Sequence, residues 1–263
     1  MRWALLALAI AGCTTEEAPE LTLAWSDEFD GPAGPPDASK WSFEVGGDGW
    51  GNGELQFHTA RNAALDGAGH LAIIARREPM GARAFTSARL STRHKLEQTY
   101  GRFEARLRLP EGKGLWPAFW LLGTDLDQAG WPGCGEIDVV EARGAQPWRI
   151  SSALHGPGYS AGEALIAAFE TADHSALTAD FHVFAVEWTP GEIQFSVDGR
   201  DYHVERASRL AQSSRWVFDH PFFMILDLAV GGSFGGPPDD TTPFPATLLA
   251  DWVRVYRPSR VPE

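Results

Sequence analysis

The sequence predicts an all-β sandwich in one domain. Three observations carry this. Short apolar runs recur along the chain, several with strict two-residue alternation. Turn-forming residues separate them, and no strand–helix–strand rhythm is present. The 28 glycines and 18 prolines are spread through the chain rather than gathered in a linker. The folded unit is therefore expected over residues 21–258.

In chain order the expected strands are "LTLAWSDEF", "HLAIIARR", "AFTSARLSTR", "YGRFEARLRLP", "FHVFAVEWT", "EIQFSVDG", "FFMILDLAVGG" and "LLADWVRVYR". In the fourth, Phe103, Ala105, Leu107 and Leu109 make an apolar face, and Tyr100 starts the polar one. Residues Val197 to Val204, "VDGRDYHV", read as a hairpin with Asp198-Gly199 in its turn. The stretch "ERASRLAQSSR" is expected to form one or two turns of helix.

A chain of 263 residues that is 44% apolar and 22% charged supports one sizeable core and does not require a second. With 35 acidic against 22 basic residues, the net charge of -13 excludes nucleic acid and anionic membrane surfaces as natural partners. Eleven tryptophans are more telling, because indole either packs cores or stacks on ligands.

The opening "MRWALLALAIAGC" has a basic Arg2 and an apolar run at residues 3–12, too short to span a bilayer. Residues 1–12 are expected to be a signal peptide, and residues 13–20 a polar linker. "AIAGC" resembles the lipobox of bacterial lipoproteins. That resemblance implies cleavage before Cys13, lipid on its thiol, and an exported, membrane-anchored protein; an ordinary signal would make it secreted. The other cysteine, Cys134, leaves no internal disulfide. It is expected to be a buried small apolar residue, since nearby carboxylates disfavour its thiolate.

The chemistry concentrates in "GCGEIDVVEARG", residues 133–144, where Glu136, Asp138 and Glu141 lie within six positions. On a strand Glu136 and Asp138 share a face, but Glu141 has the wrong parity. One residue bulged out at Val139-Val140 restores it to that face, and bulges recur beside active sites. Otherwise Glu141 points away and is merely solvated. Two carboxylates on one face suit acid–base work on a glycosidic bond, and a pair about 5–5.5 Å apart gives retention. Trp116 and Trp120 have even spacing in "GLWPAFWLLG" and so share a strand face, in the core or on a ligand.

"EIDVVE" resembles the signature of glycoside hydrolase family 16, in the variant with the extra residue. "WGNGELQFHT", "TSARLSTR", "YGRFEARLRLPEGKGLWPAFWLLG", "GWPGCGEIDVVE", "LHGPGYSAG" and "DWVRVYR" are similar, in order, to bacterial laminarinases of that family. The resemblance implies a concanavalin-A-like β-jelly roll of two antiparallel sheets with a substrate cleft on the concave face. It implies Glu136 as nucleophile, Glu141 as acid/base and Asp138 as the assisting group, in a retaining endo-β-1,3-glucanase. It also implies that Trp116, Trp120 and Trp131 stack on sugar rings and that Asn52, Arg89 and, less directly, Glu54 bond glucose hydroxyls. His155 is implied beside the catalytic strand.

No catalytic cofactor is implied, but a structural calcium ion is, at Glu28, Gly69 and Asp251. The expected partner is a polysaccharide, and the protein is expected to be a monomer. The same strand serves relatives acting on mixed-linkage glucan, agarose or carrageenan, and non-catalytic glucan-binding relatives typically lack one or both glutamates. The chain departs from the pattern in "DLAVGGSFGG": Asp227, Ser233 and Phe234 stand where laminarinases often carry asparagine, asparagine and tryptophan.

Overall fold

The computed structural model describes residues 20–259, so the expected signal peptide, Cys13 and most of the linker lie outside the described residues. In chain order the strands are β1 (Leu21–Asp27), β2 (Ser42–Phe43), β3 (Gln56–His58), β4 (Ala63–Leu65), β5 (Leu71–Ala75) and β6 (Phe85–Ser87). They continue with β7 (Arg89–Ser91), β8 (Gly101–Arg108), β9 (Leu115–Gly123), β10 (Glu136–Ala142), β11 (Arg149–His155) and β12 (Leu165–Glu170). The last are β13 (His182–Thr189), β14 (Glu192–Val197), β15 (Arg200–Arg206), β16 (Phe222–Val230) and β17 (Ala246–Pro258).

Two large antiparallel sheets hold nearly all of them. One runs β15-β14-β13-β8-β17-β5-β4, with β1 also paired to β17. The other runs β12-β11-β10-β9-β16-β7-β2. Strand neighbours in space are mostly distant in sequence, as in a jelly roll. A single main core fills the gap between the sheets, and it takes Phe103, Ala105, Leu107 and Leu109 from the alternating run. Trp41, Trp188, Phe184 and Phe195 are among its largest fully buried side chains.

Local signals are realised where they are strongest. Asp198 and Gly199 both have positive φ, 49° and 74°, as the two-residue turn between β14 and β15 requires. The expected helix at "ERASRLAQSSR" shrinks to one 3-10 turn, Ala207–Arg209. Its apolar residues are too few to make a helical face, and only Leu210 packs against the core. Cys134 is buried and unpaired. Its thiol is pushed up to about 11, by burial first and then by Asp125 and Glu136. It sits in a small second apolar cluster with Leu122, Phe223 and Ile225, against Trp120.

Candidate active site

β10 positions the three acids, and the parity problem is solved by a bulge. Pairing with β9 runs regularly to Asp138↔Trp120, then shifts so that Val140 faces Phe119 and Glu141 faces Ala118. The same irregularity interrupts the pairing with β11 between Asp138 and Glu141. Val139 and Val140 are consecutive, yet both are core residues, at 1% and 0% exposure. A regular strand would send one of them to the opposite face, yet both join the main core between the sheets. The extra residue turns Glu141 back to the face of Glu136 and Asp138.

That face is the outer surface of the seven-stranded sheet, and the register lays out its rows. Ile166, Ala153, Asp138, Trp120, Ile225 and Ser91 form one row across β12, β11, β10, β9, β16 and β7. Ala168, Ser151, Glu141, Ala118, Asp227 and Arg89 form the next. The β11–β12 side is therefore floored by small and apolar groups, and the β16–β7 side by charge and indole. Neither of the two cavities that stand out, of about 330 Å³ beside Leu109 and about 500 Å³ beside Trp216, lies at the acids. Glu136 and Glu141 are each half-buried rather than enclosed, so this face is reachable from solvent.

Indoles hold the carboxylates. Trp131 Nε1 donates to Glu136 Oε2 at 2.9 Å, and Trp116 Nε1 donates to Glu141 Oε1 at 2.9 Å. Trp120 Nε1 donates to Asp227 Oδ1 at 2.8 Å. Trp131 remains 47% exposed, which leaves its ring face available to a ligand. Among the described residues no lysine or arginine pairs directly with the trio. Burial and mutual repulsion therefore push it up together: Glu136 to about 8, by burial and then Asp138, and Asp138 to about 8, chiefly by burial. Glu141 is pushed up by burial, then by Asp138 and Glu136.

His155 closes the cluster. Its Nε2 lies 3.1 Å from Asp138 Oδ2 and 3.7 Å from Glu136 Oε1. Alignment at Asp138 Oδ2 is too poor for a hydrogen bond, so the contact is electrostatic. Nδ1 accepts the Ala161 backbone N–H at 3.1 Å, which places the proton of the neutral ring on Nε2. Glu136, Asp138 and His155 offer ligand atoms within 4.8 Å of one another. A metal-bound histidine, however, donates from its distal nitrogen, the reverse of what Ala161 imposes. These groups suit holding a proton.

On the β7 side Arg89 is more enclosed than a sugar-binding arginine needs to be. Its Nε donates to Glu44 Oε2 at 2.6 Å, and its guanidinium lies 4.6 Å from the Trp120 ring centre and 4.8 Å from that of Trp50. Asn52 is exposed at the rim, bonds Glu54 Oε1 through Nδ2 at 3.3 Å, and accepts Ser233 N–H on its carbonyl. Glu54 is buried and also accepts from Gln56 Nε2 at 2.5 Å. Gln56 and His58 complete a buried network that sequence reading missed, although "ELQFH" puts Glu54, Gln56 and His58 at alternate positions. Phe234 packs on Trp116, with ring centres 5.1 Å apart, so the departure from tryptophan still leaves an aromatic at that rim.

The register brings the implied calcium residues together beside the middle of β17, where Asp27 faces Val253 and Leu71 faces Ala250. Their side chains are engaged elsewhere. Both Glu28 oxygens accept from Arg254, at 3.0 and 2.8 Å, and Asp251 Oδ2 accepts from Arg106 at 2.6 Å.

Comparison with known proteins agrees with this geometry. Residues 50–254 match the model of glycosyl hydrolases family 16. The chain is 44% identical to a β-glucanase of Rhodothermus marinus, over 97% of this chain and 94% of the other. It is 40% identical to a glucan endo-1,3-β-glucosidase of Cryptopygus antarcticus, over 83% of this chain and 84% of that one. The catalytic domain of an endo-1,3-β-glucanase (laminarinase) from Thermotoga petrophila superposes with a TM-score of 0.89 at 42% identity, covering 92% of this chain and 100% of that one. The sheets, the bulged acidic strand and these relatives make the chain a member of glycoside hydrolase family 16 with the jelly-roll fold of the laminarinases.

Proposed function

We propose that the protein is a retaining endo-β-1,3-glucanase acting on laminarin-like glucan. The observation that carries this is the bulge at Val139-Val140, which puts Glu136 and Glu141 on one open face with Asp138 between them. The likeness to laminarinases at 40% identity and above supports the substrate.

In the first step a Glu136 oxygen attacks the anomeric carbon as the bond to the leaving sugar breaks. Glu141 passes its proton to the leaving oxygen. In the second step Glu141 takes a proton from water, water oxygen bonds the anomeric carbon, and the ester to Glu136 breaks. Burial, then Asp138 and Glu136, push Glu141 well above the usual carboxylate range, the direction a general acid needs. Burial and Asp138 push Glu136 up to about 8, and the Trp131 bond to Oε2 pulls the other way, toward the ionised form a nucleophile needs. Asp138 shares a proton with Glu136, so the group that must ionise first has a partner to hold what it releases.

The direct test is incubation with laminarin, mixed-linkage glucan, agarose and carrageenan, followed by product identification. Oligosaccharides from laminarin are expected; activity confined to a galactose-based polymer would overturn the substrate assignment.

We further propose that the protein is a monomer, and that it is exported and anchored by lipid on Cys13; export and anchoring rest on the "AIAGC" run alone. Mass spectrometry of membrane-extracted protein should find an acylated Cys13 at the mature N-terminus, and any other N-terminus overturns this. A structural calcium ion at Glu28, Gly69 and Asp251 is supported by their common position in the fold and opposed by the arginines on both carboxylates. It would serve stability and not chemistry. A chelator should then lower Tm, and an unchanged Tm removes the site.

A further inference from the structure

Asp227 is the one departure from the laminarinase pattern that falls within the acidic face. It lies in β16, 5% exposed, in the same cross-strand row as Glu141. Two strand spacings separate them, about 10 Å. Its Oδ1 accepts the Trp120 indole N–H at 2.8 Å. An asparagine there would accept the same bond through its carbonyl oxygen, so what this chain adds is a negative charge.

The charged and titratable groups around Asp227 come from every neighbouring element. Arg89 is its direct partner on β7, stacked between Trp120 and Trp50 and paired with Glu44. Glu54 and His58 bear on it from the β3 side, and Asp138 from β10. Burial pushes Asp227 up to about 6, with Arg89 and His58 pulling against it. Asp227 in turn adds to the rise at Asp138.

We propose that Asp227 is a positioning residue for the reaction: it fixes the Trp120–Arg89–Trp50 stack beside the acids, and its charge sets the pH at which they work. The proposal rests on the glycosidase reading of this face but not on the linkage cleaved. Within it, the carboxylate acts through Trp120 on substrate binding and through Asp138 on the trio's ionisation. Both limbs of the rate profile therefore depend on a group that touches neither the reacting carbon nor the leaving oxygen.

The test compares kcat and KM against pH for the wild type, Asp227→Asn and Asp227→Ala, on whichever polymer the wild type cleaves. A failure of the laminarin assignment is then visible in the wild type alone. Asp227→Asn is expected to move both limbs of the kcat/KM profile to lower pH by about half to one unit, the Coulomb effect of one charge at this range. Asp227→Ala leaves the Trp120 indole N–H unpaired and is expected to raise KM by roughly tenfold, more than Asp227→Asn does. Unshifted limbs in a folded, active Asp227→Asn would overturn the charge role. An Asp227→Ala that lowers Tm and kcat while leaving KM unmoved would overturn the positioning role. Should Asp227→Ala not fold, the asparagine variant decides the matter by its profile.

Discussion

The eight-stranded sheet and the acidic centre of the seven-stranded one hold their carboxylates in opposite ways. In the eight-stranded sheet the carboxylates meet arginines: Glu104 accepts from Arg102 at 2.8 Å, and Arg102 reaches Glu187 at 2.7 Å. Glu192 meets Arg206 at 2.6 Å, and Glu28 takes both oxygens to Arg254. Glu28 is held below the usual carboxylate range, first by its bonds to Arg254. On the outer face of the seven-stranded sheet, Glu136, Asp138 and Glu141 crowd together and receive indole N–H groups instead. An indole orients a carboxylate without neutralising it. Burial then raises the pKa values in place of being offset. One sheet spends its acids on stability; the other keeps a strained charge state that chemistry can use.

Removing the reactive groups should give the largest effect. Glu136→Ala and Glu141→Ala are each expected to lower kcat/KM by at least about 10³-fold, read with a soluble glucan. A variant keeping a tenth of the activity would break the assignment of that residue.

Deleting Val139 sharpens the geometric side. The strand would then read Glu-Ile-Asp-Val-Glu, whose strict alternation puts both glutamates on one face without a bulge. Activity is expected to persist in reduced form, alongside a Tm lowered by the lost core contact. A folded but inactive deletion would mean that the bulge does more than restore parity.

Neutralising one acid in each sheet should move stability in opposite directions. Glu136→Gln is expected to raise Tm at pH 8 by about 2–4 °C, equivalent to on the order of 1 kcal/mol in a chain of this size. Glu104→Gln, which strips a partner from the partly buried Arg102, should lower it. The sign at Glu136 follows from its raised folded pKa. Between the unfolded value near 4.5 and the folded value near 8 the native state holds more protons, so stability falls as pH rises through that window. The gain in Glu136→Gln should accordingly shrink toward pH 4. Equal shifts in both variants, or a gain independent of pH, would dissolve the contrast between the sheets.

The smallest effect is expected from Trp131→Phe. It keeps a ring but loses the N–H on Glu136, a bond that lowers the glutamate's pKa. The acid limb of the kcat/KM profile should move up by a few tenths of a pH unit, a few-fold in rate at low pH.

What could be read in the sequence divides along the range of the interactions. Alternation at Phe103–Leu109 and the Asp198-Gly199 turn are local, so periodicity and turn chemistry located them directly. Parity exposed the misfit of Glu141 but could not choose between a bulge and an outward side chain. The choice depends on β9 and β11, which the local sequence does not describe, and only family resemblance tipped it. The Trp120 bond to Asp227 was invisible for the same reason, since the two are 107 residues apart. The pairing of Glu28 with Arg254, 226 residues away, was equally out of reach. Gln56 and His58 could have been found, since they carry the alternation begun at Glu54 into the short strand β3.

The central claim is that the bulge aligns Glu136 and Glu141 for double displacement. Proton NMR of freshly released ends, recorded during laminarin hydrolysis before mutarotation, tests it most directly. The account predicts that the β-anomer appears first and the α-anomer follows as the ends equilibrate. An α-anomer formed first would mean inversion, and would contradict the placing of Glu136 as nucleophile.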